Sequence, residues 1–434
     1  MLFLGRSNHE PVYARPESHL LVVGPPRSGK TTSFVIPNLL EHSGPAVVTS
    51  TKTDLIEATY AMRRARGRLW LFDPSGTITC PAGVTPARWS LVSEATSYDT
   101  ATVIASEAVD TALGIQHGAS AHWSDRAKAL LGPLLFAAHR SEGEIEDVVR
   151  WIDTRNAESA MSILVGVGAY RAEEVLSGIL QSESKELSAI YSTASAALGA
   201  YRTEAALAVG AVTNFDVSSF VASSDTLYVV APATVQRQCA PIVVGLLEAV
   251  REHSYRQNTT RGSQHPRVRF LLDEMANIAP LSNLGSVLSE GASQGIELLG
   301  CLQDLTQARL RWPELSKGFL TLFGTTVLLP GIGDLETLRT VAALVGDRHV
   351  MQRSFTVESR RTLGSHHRRS PSYSFSTRRE PRVSLDQLAQ ITSGTALVFE
   401  PSRGLGRIEL APYFERERSN ARPSLSRESP QSGR

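Results

Sequence analysis

The chain has 434 residues, enough for two or three domains that each bury an apolar core. Hydrophobic residues make up 42% and charged residues 20%, as in folded globular proteins, which excludes a wholly disordered chain. The formal net charge of +1 excludes a general attraction to nucleic acid or to anionic membranes, so any such partner requires a local patch.

The cysteines and the lengths of the apolar runs indicate the cellular compartment of the chain. The three cysteines are scattered without the spacing of metal ligands, and we interpret Cys80, Cys239 and Cys301 as packing residues in a reducing compartment. The sequence contains no apolar run of about 18 residues, and its N-terminus lacks a signal-peptide pattern. We therefore expect a soluble, cytoplasmic chain without a transmembrane segment.

The N-terminal part predicts strands alternating with helices. The apolar run His19–Val23 leads into a Gly/Pro turn, after which residues 32–36 begin a helical pattern. Ala46–Ser50 and Leu69–Phe72 follow as buried strands. Short apolar strands between helices predict an α/β fold with a sheet rich in parallel strands.

The turn after the first of these strands fits the phosphate-loop pattern G-x-x-x-x-G-K-[ST]. Its glycines allow backbone N–H groups to face phosphate oxygens at a helix N-terminus, and Lys30 adds a positive charge at the β and γ phosphates. Thr31 offers its hydroxyl to Mg²⁺. The predicted nucleotide-binding residues are Gly24, Pro25, Pro26, Arg27, Ser28, Gly29, Lys30, Thr31 and Thr32.

The middle of the chain has a different pattern. Residues 98–205 are rich in alanine, carry helical spacing and contain no convincing strand, which predicts an inserted all-α domain. Strands resume afterwards, so the nucleotide-binding domain is predicted in two parts, residues 1–97 and 206–415.

Two later strands end in residues suited to hydrolysis. Val268–Leu272 is followed by Asp273, a predicted Mg²⁺ ligand directly or through water, and by Glu274, the predicted base that activates water. Two acids at a strand end are common, so this pair alone is a weak signal. Its functional interpretation depends on the presence of the phosphate loop. Gln303 follows the strand Ile296–Leu302 and could touch the γ-phosphate or the attacking water, although strand-end glutamines often lie on surfaces.

The C-terminal part is polar. Residues 351–382 carry many arginines interleaved with serine, which predicts a basic loop; its core, 353–382, either contacts DNA phosphates or is a solvated surface. Residues 416–434 contain almost no apolar side chains and predict a disordered tail.

Several segments together resemble the coupling-protein ATPases of type IV secretion and bacterial conjugation. They are the phosphate loop with residues 35–40, residues 47–55, Phe72-Asp73-Pro74, residues 272–278 and residues 302–307, in that order. The resemblance implies a RecA-like P-loop NTPase domain interrupted by an all-α domain, with ATP and Mg²⁺ as ligands. It also implies a homo-hexamer that binds DNA and passes a DNA–protein substrate to a membrane channel, and it makes Gln303 the γ-phosphate sensor.

Two departures from that family pattern keep a rival hypothesis open. The usual N-terminal membrane anchor is missing, so we expect recruitment by a separate channel or anchor subunit, or a gene start further upstream. Ala292 stands where relatives often carry an arginine that acts on a neighbouring subunit's ATP, which leaves Arg309 and Arg311 as candidates. The rival is an ATP-gated recruitment platform with slow turnover; an unrelated P-loop kinase is disfavoured by the split domain and Glu274.

Overall fold

The computed structural model describes residues 1–114, 116, 118–261, 266–358 and 370–415. The strands are β1 (Phe3–Ser7), β2 (Glu10–Tyr13), β3 (His19–Val23), β4 (Ala46–Ser50), β5 (Leu69–Phe72), β6 (Thr85–Pro86), β7 (Thr226–Val230), β8 (Val268–Leu272), β9 (Ile296–Leu302), β10 (Gly324–Leu328), β11 (Asp347–Glu358), β12 (Ser370–Pro381), β13 (Thr395–Glu400) and β14 (Gly404–Glu409).

The helices are α1 (Ile36–Glu41), α2 (Asp54–Arg64), α3 (Leu91–Glu94), α4 (Tyr98–Leu113), α5 (Ala119–Arg140), α6 (Ile145–Asp153), α7 (Glu158–Gly166), α8 (Tyr170–Leu180), α9 (Ser184–Ala197), α10 (Glu204–Ala211), α11 (Val217–Val221), α12 (Gln236–Arg261), α13 (Met275–Ile278), α14 (Leu284–Glu290), α15 (Leu305–Arg311), α16 (Phe319–Leu322), α17 (Leu335–Val345) and α18 (Leu385–Ala389). A π-helical turn, Thr31–Val35, leads directly into α1.

Twelve strands form one sheet, in the order β2-β1-β14-β13-β10-β3-β9-β8-β4-β7-β5-β6. From β10 to β6 every neighbouring pair is parallel, and β13, β14, β1 and β2 add an antiparallel edge. The prediction of an α/β fold with a parallel-rich sheet is confirmed. β3, β9 and β8 are parallel neighbours. The residues that follow them therefore lie close together at the carboxyl ends of these strands.

The parallel strands are buried on both faces, as their continuous apolar runs require. Along β3, Leu21 and Val23 pack into one apolar cluster while Leu20 and Val22 pack into another on the opposite face. Burying each such side chain contributes about 1.5–3 kcal/mol before chain entropy is subtracted. The sheet is therefore a rigid support for the loops at its edges.

Helices occupy the stretch predicted to be all-α. Within the described residues between β6 and β7, only helices and short helical turns occur, α3 to α11. α5 lies centrally among them and contacts α4, α6, α7, α8 and α9. Their apolar side chains join the same cluster as Leu21 and Val23 of the sheet, so the proposed domain boundaries at 98 and 205 cross a continuous core and stay a prediction.

The arginine-rich segment differs from its prediction as a loop. Its described parts form β11 and β12, two long antiparallel strands that pair only with each other among the described residues. These segments are rich in serine and arginine and do not show the alternation of apolar and polar residues that is typical of strands. They also lack the apolar runs by which a buried strand is recognised. The predicted contacts of Arg360, Arg361, Arg368 and Arg369, and the predicted disordered tail 416–434, fall outside the described residues.

Candidate functional site

The predicted phosphate loop begins at the carboxyl end of β3, beside the carboxyl end of β9. The N–H of Gly24 donates to the carbonyl of Leu302 at 3.0 Å. A Cβ at Gly24 would lie 2.6 Å from the Cβ of Leu329 and 2.7 Å from the Oγ of Ser28, so no larger residue fits. Gly29 has φ +96°, a conformation that costs other residues energy. Both glycines of the motif are thus required by the loop's shape.

Lys30 and Ser28 give this loop its polar interior. The Lys30 side chain is only 7% exposed, and its Nζ donates to the carbonyls of Gly24 at 2.6 Å and Pro25 at 2.9 Å. The Oγ of Ser28 is buried, and within the described chain it has no hydrogen-bond partner. A cationic amine, an unpartnered hydroxyl and the N-terminal N–H groups of a helix fit the oxygens of a phosphate group.

Asp273 stands beside this loop. It follows β8, and its Oδ2 accepts a hydrogen bond of 2.6 Å from the Oγ1 of Thr31. The Oγ1 of Thr49, in β4, donates to the Asp273 carbonyl at 2.7 Å and fixes the backbone. Burial raises the pKa of the Asp273 carboxyl, although the Thr31 hydrogen bond and the Lys30 charge oppose the rise. A hydroxyl and a carboxylate, both hard oxygen donors, are a donor pair suited to Mg²⁺.

Glu274 adopts a left-handed backbone conformation, with φ 55° and ψ 43°. This conformation costs a residue other than glycine on the order of 1 kcal/mol or more. The Glu274 Oε2 accepts a hydrogen bond of 3.4 Å from the Nδ2 of Asn277. The next residue, Met275, packs on Gly300 of β9, where a Cβ would approach its sulfur to 2.7 Å. A strained turn with an acid at its apex is typical of a functional position.

Gln303 follows β9 directly. Its backbone N–H donates to the Oε1 of Gln307 at 2.9 Å, and Asp304 caps α15 through the N–H groups of Thr306 and Gln307. The preceding residue, Leu302, is the one that binds Gly24. The Gln303 backbone therefore adjoins the phosphate loop, while its side-chain amide makes no hydrogen bond to the described residues.

The structure adds residues that were not assigned to the site from sequence. Thr49 and Gln307 hold the backbones of Asp273 and Gln303. Leu329, after β10, donates its N–H to the carbonyl of Val23 at 2.9 Å and closes the other side of the loop. A threonine or glutamine near a strand end gives no sequence signal by itself, because its role depends on which strands are neighbours.

The candidate arginines differ in their surroundings. Arg309 pairs with Asp334 at 3.3 Å and with Glu336 at 3.1 Å in its own chain. Arg311 is exposed at the end of α15; partial desolvation lowers the pKa of its guanidinium, and the charge of Arg237 lowers it further. Ala292 is buried and precedes β9. It therefore lies at the amino ends of the parallel strands, whereas the phosphate loop lies at their carboxyl ends.

Comparison with known proteins gives the family. A family model described as Type IV secretory system conjugative DNA transfer matches residues 4–432. The chain belongs to this family. It is 24% identical over 381 residues to a conjugal transfer protein TraG of Escherichia coli, a match covering 81% of this chain and 58% of that protein. A second TraG of Escherichia coli is 23% identical over 375 residues, covering 79% and 57%. The chain thus spans less than two thirds of these relatives.

Solved structures show the same fold. The unbound conjugative coupling protein TrwBdeltaN70 has a TM-score of 0.70 at 16% identity, covering 94% of this chain and 88% of TrwBdeltaN70. TrwB in complex with ADP and Mg²⁺ has a TM-score of 0.65 at 16% identity, covering 92% and 86%. The predicted RecA-like P-loop fold is thereby confirmed. Among the helices that the structure describes, none has the length and apolar character needed to cross a membrane.

Proposed function

We propose that this member of the family is an ATP-hydrolysing coupling protein and DNA translocase. It binds DNA or a DNA–protein substrate and delivers it to a type IV secretion or conjugation channel. The observation that carries the proposal is the 2.6 Å contact between Thr31, at the end of the phosphate loop, and Asp273, at the end of β8. It joins a loop shaped for phosphate to a carboxylate suited to Mg²⁺. The complexes of TrwB with ADP and Mg²⁺ and with an ATP analogue support ATP and Mg²⁺ as the ligands here.

The geometry of the site supports the following proposed roles. Residues 24–32 cradle the phosphates of ATP, and Lys30 leaves the loop carbonyls to neutralise the β and γ oxygens. Thr31 and Asp273 would hold Mg²⁺, which supplies positive charge to the phosphates when bound. Glu274 accepts the proton of the attacking water, and Gln303 reports the γ-phosphate to α15.

The proposed partners come from the family. They are DNA, a relaxase or another secreted protein, a channel or membrane-anchor subunit, and further copies of this chain in a homo-hexamer. Recruitment to the inner face of the cell membrane would occur through the channel or anchor subunit. We also propose that the helices of residues 98–205 select the transferred substrate, because they add a surface without contributing to the phosphate loop or to Asp273.

Two observations keep the recruitment platform as a second candidate. Arg309 is held by two carboxylates of its own chain, and Ala292 is buried and without charge. If no arginine reaches the neighbouring subunit's ATP, turnover is slow, because an arginine finger supplies about 10³–10⁵ in rate.

The ATPase rate of the purified chain, measured with and without single- and double-stranded DNA, tests the proposal. A translocase hydrolyses ATP faster when DNA is added, whereas a platform binds ATP and partner without this stimulation. Glu274→Gln is the matched variant, because it keeps the size of the side chain but cannot accept a proton. This variant should bind ATP and leave it unhydrolysed, and hydrolysis at the parental rate would remove Glu274 from the proposed role.

A further inference from the structure

A cavity of about 240 Å³ lies where three helices meet, α3, α4 and α12. These helices contact one another, and the cavity is lined by residues of all three. Its lining includes no residue of the phosphate loop and neither Asp273 nor Glu274, so it is separate from the nucleotide site. Sites for drug-sized ligands enclose about 300–1,000 Å³, so this cavity suits a smaller molecule.

One part of the cavity wall is apolar. Trp89, Leu91 and Ala249 are buried in it, and Ile104 packs on the same apolar core. Val103 also lines the cavity but is 52% exposed, so it lies where the cavity opens to solvent. An apolar wall that is reached through an open mouth can take up the hydrocarbon part of a small molecule.

Glu248 places an incompletely bonded carboxylate in the same wall. This residue of α12 lines the cavity and is only 7% exposed. Its Oε2 accepts hydrogen bonds from the Nε of Arg251 at 2.6 Å and from the Nδ2 of Asn283 at 2.9 Å. Its Oε1 is buried and has no hydrogen-bond partner among the described residues. A buried oxygen without a donor is unfavourable, so a donor inside the cavity would stabilise it.

The charges around the cavity favour a cation. Arg251 is already held by Glu248 and, at 2.9 Å, by Glu252. Burial raises the pKa of the Glu248 carboxyl; the charge of Arg251 opposes the rise, and the charge of Glu107 adds to it. A positive ligand would relieve this repulsion, whereas an anion would increase it. The charged and titratable residues of the lining are five carboxylates, two arginines and one histidine: Glu94, Asp99, Glu107, Glu248, Glu252, Arg251, Arg256 and His253.

We propose that this cavity binds an aliphatic primary amine in its ammonium form. The ammonium group donates to the Oε1 of Glu248, and the hydrocarbon chain packs against Trp89 and Ile104. A divalent metal ion is a poorer match, because it prefers six or more oxygen ligands and the wall beside Glu248 is largely apolar. The inference is independent of the proposed function and goes beyond it, because the site shares no residue with the nucleotide site.

Calorimetric titration of the purified chain tests the ligand class. n-Pentylamine is the probe, and n-pentanol, which has the same hydrocarbon chain without the charge, is the control. The amine should bind saturably and the alcohol much more weakly, because only the ammonium group pairs with Glu248. Equal affinity for the two compounds, or no saturable binding of the amine, would overturn the proposal.

Glu248→Gln tests the residue that receives the ammonium group. The substitution keeps the size of the side chain and removes its charge, and it should weaken binding of pentylamine between about 10-fold and 100-fold. Glu252→Gln is the matched control, because it removes the same charge from the same helix and the same cavity. The Glu252 side chain is 40% exposed, so its loss should change the affinity much less. Equal effects of the two variants would overturn the assignment to Glu248.

A second pair of variants tests the location without altering a buried charge. Val103→Trp narrows the mouth of the cavity and should weaken binding of pentylamine severalfold. Val165→Trp, at a position on α7 that is 54% exposed and outside the lining, should leave the affinity unchanged. Circular dichroism checks that both variants fold. Unchanged affinity in Val103→Trp would show that the amine does not enter this cavity.

The same alkylammonium group occurs in free amines and in lysine side chains. N-acetyl-lysine N-methylamide carries it as a protein would present it, and we expect this compound to bind more weakly than pentylamine because its amide groups do not fit the apolar wall. Tighter binding of the lysine compound would overturn the assignment to a free amine and make the cavity a receptor for a lysine of another protein.

Discussion

Thr337 of α17 accepts a hydrogen bond of 3.0 Å from the backbone N–H of Leu305, the first residue of α15. The same hydroxyl donates to Asp334, which also pairs with Arg309 of α15. α15 begins two residues after Gln303, and α17 leads into β11. The start of α15, just after β9, is therefore hydrogen-bonded to the start of α17, the helix that precedes β11.

Thr337→Val tests this junction. The substitution keeps the shape of the side chain but leaves the buried N–H of Leu305 without its acceptor, so the free energy of unfolding should fall by about 1–3 kcal/mol. Thr340→Val is the control in urea unfolding, because the Thr340 hydroxyl only donates to the Glu336 carbonyl within α17. Identical stability of the two variants would contradict the role given to Thr337.

Lys30→Ala should abolish hydrolysis and most ATP affinity. The substitution removes the buried amine that is held by Gly24 and Pro25, and we expect a rate loss of about 100-fold or more with the fold retained. Fluorescent-nucleotide binding and a phosphate-release assay measure the two effects, and circular dichroism checks the fold. Lys317→Ala, at an exposed position, is the control and should behave as the parent. Normal turnover of Lys30→Ala would end the assignment of this loop to phosphate.

The strained turn at Glu274 predicts opposite effects on stability and activity. At φ 55° glycine is unstrained and alanine is not, so Glu274→Gly should be more stable than Glu274→Ala by about 1 kcal/mol. Neither variant should hydrolyse ATP. Thermal unfolding of the two variants gives the comparison, and equal stability would show that the left-handed conformation is not maintained in solution.

Sequence patterns reveal the residues of this site better than they reveal their support. The Gly-rich turn and the Asp273-Glu274 pair are visible because their chemistry demands particular residue types after buried strands. The supporting contacts of Thr49 and Thr337 depend on the order of the strands and on the packing of helices. Neither can be inferred from the sequence of one segment alone. No local pattern marks a threonine whose partner lies more than 200 residues away, as Asp273 does from Thr49.

Strand prediction failed for the two strands that lie outside the main sheet. β3 and β8 were predictable because all their residues are buried and all but one in each strand, His19 and Arg269, are apolar. β11 and β12 were predicted as a loop because they lie outside the main sheet and carry serine and arginine. These two strands are defined by their pairing with each other, which the residue types of either segment alone do not reveal.

Acidification should destabilise the chain through two buried histidines, His19 at the start of β3 and His42 shortly before β4. Burial lowers the pKa of His19 to about 4 and that of His42 to about 3. The unfolded chain binds protons at these positions below about pH 6.5 and the folded chain does not, so stability is present near neutral pH and is lost as the pH falls through this window. Between pH 7.5 and pH 5 the loss should be about 2 kcal/mol per histidine.

Urea unfolding at several pH values measures this loss. His19 Nδ1 accepts the backbone N–H of Leu298 at 3.1 Å, and His19→Asn keeps an acceptor there while removing the titration. That variant should lose roughly half of the histidine-dependent slope between pH 7.5 and 5. An unchanged slope would show that His19 is hydrated, and so not depressed in pKa, in the folded protein.

The last prediction concerns the arginine that acts on a neighbouring subunit's ATP in the proposed hexamer. Arg309 already has two carboxylate partners in its own chain, so Arg309→Ala should mainly loosen the contact between α15 and α17. Arg311 is exposed and lies near Arg237, and a second guanidinium nearby favours binding of an anion. Arg311 is therefore the better candidate of the two.

Arg311→Ala should reduce hydrolysis by orders of magnitude while ATP affinity stays nearly unchanged, because the finger contacts the transferring phosphoryl group and not the ground state. Mixing Arg311→Ala with Lys30→Ala subunits should restore part of the activity, since a hybrid interface then combines an intact phosphate loop from one subunit with an intact arginine from the other. Arg309→Ala serves as the matched control in both assays and should give no such rescue. If neither arginine variant lowers the rate more than a few-fold, hydrolysis proceeds without a finger from α15, and the slow recruitment platform becomes the better account of this chain.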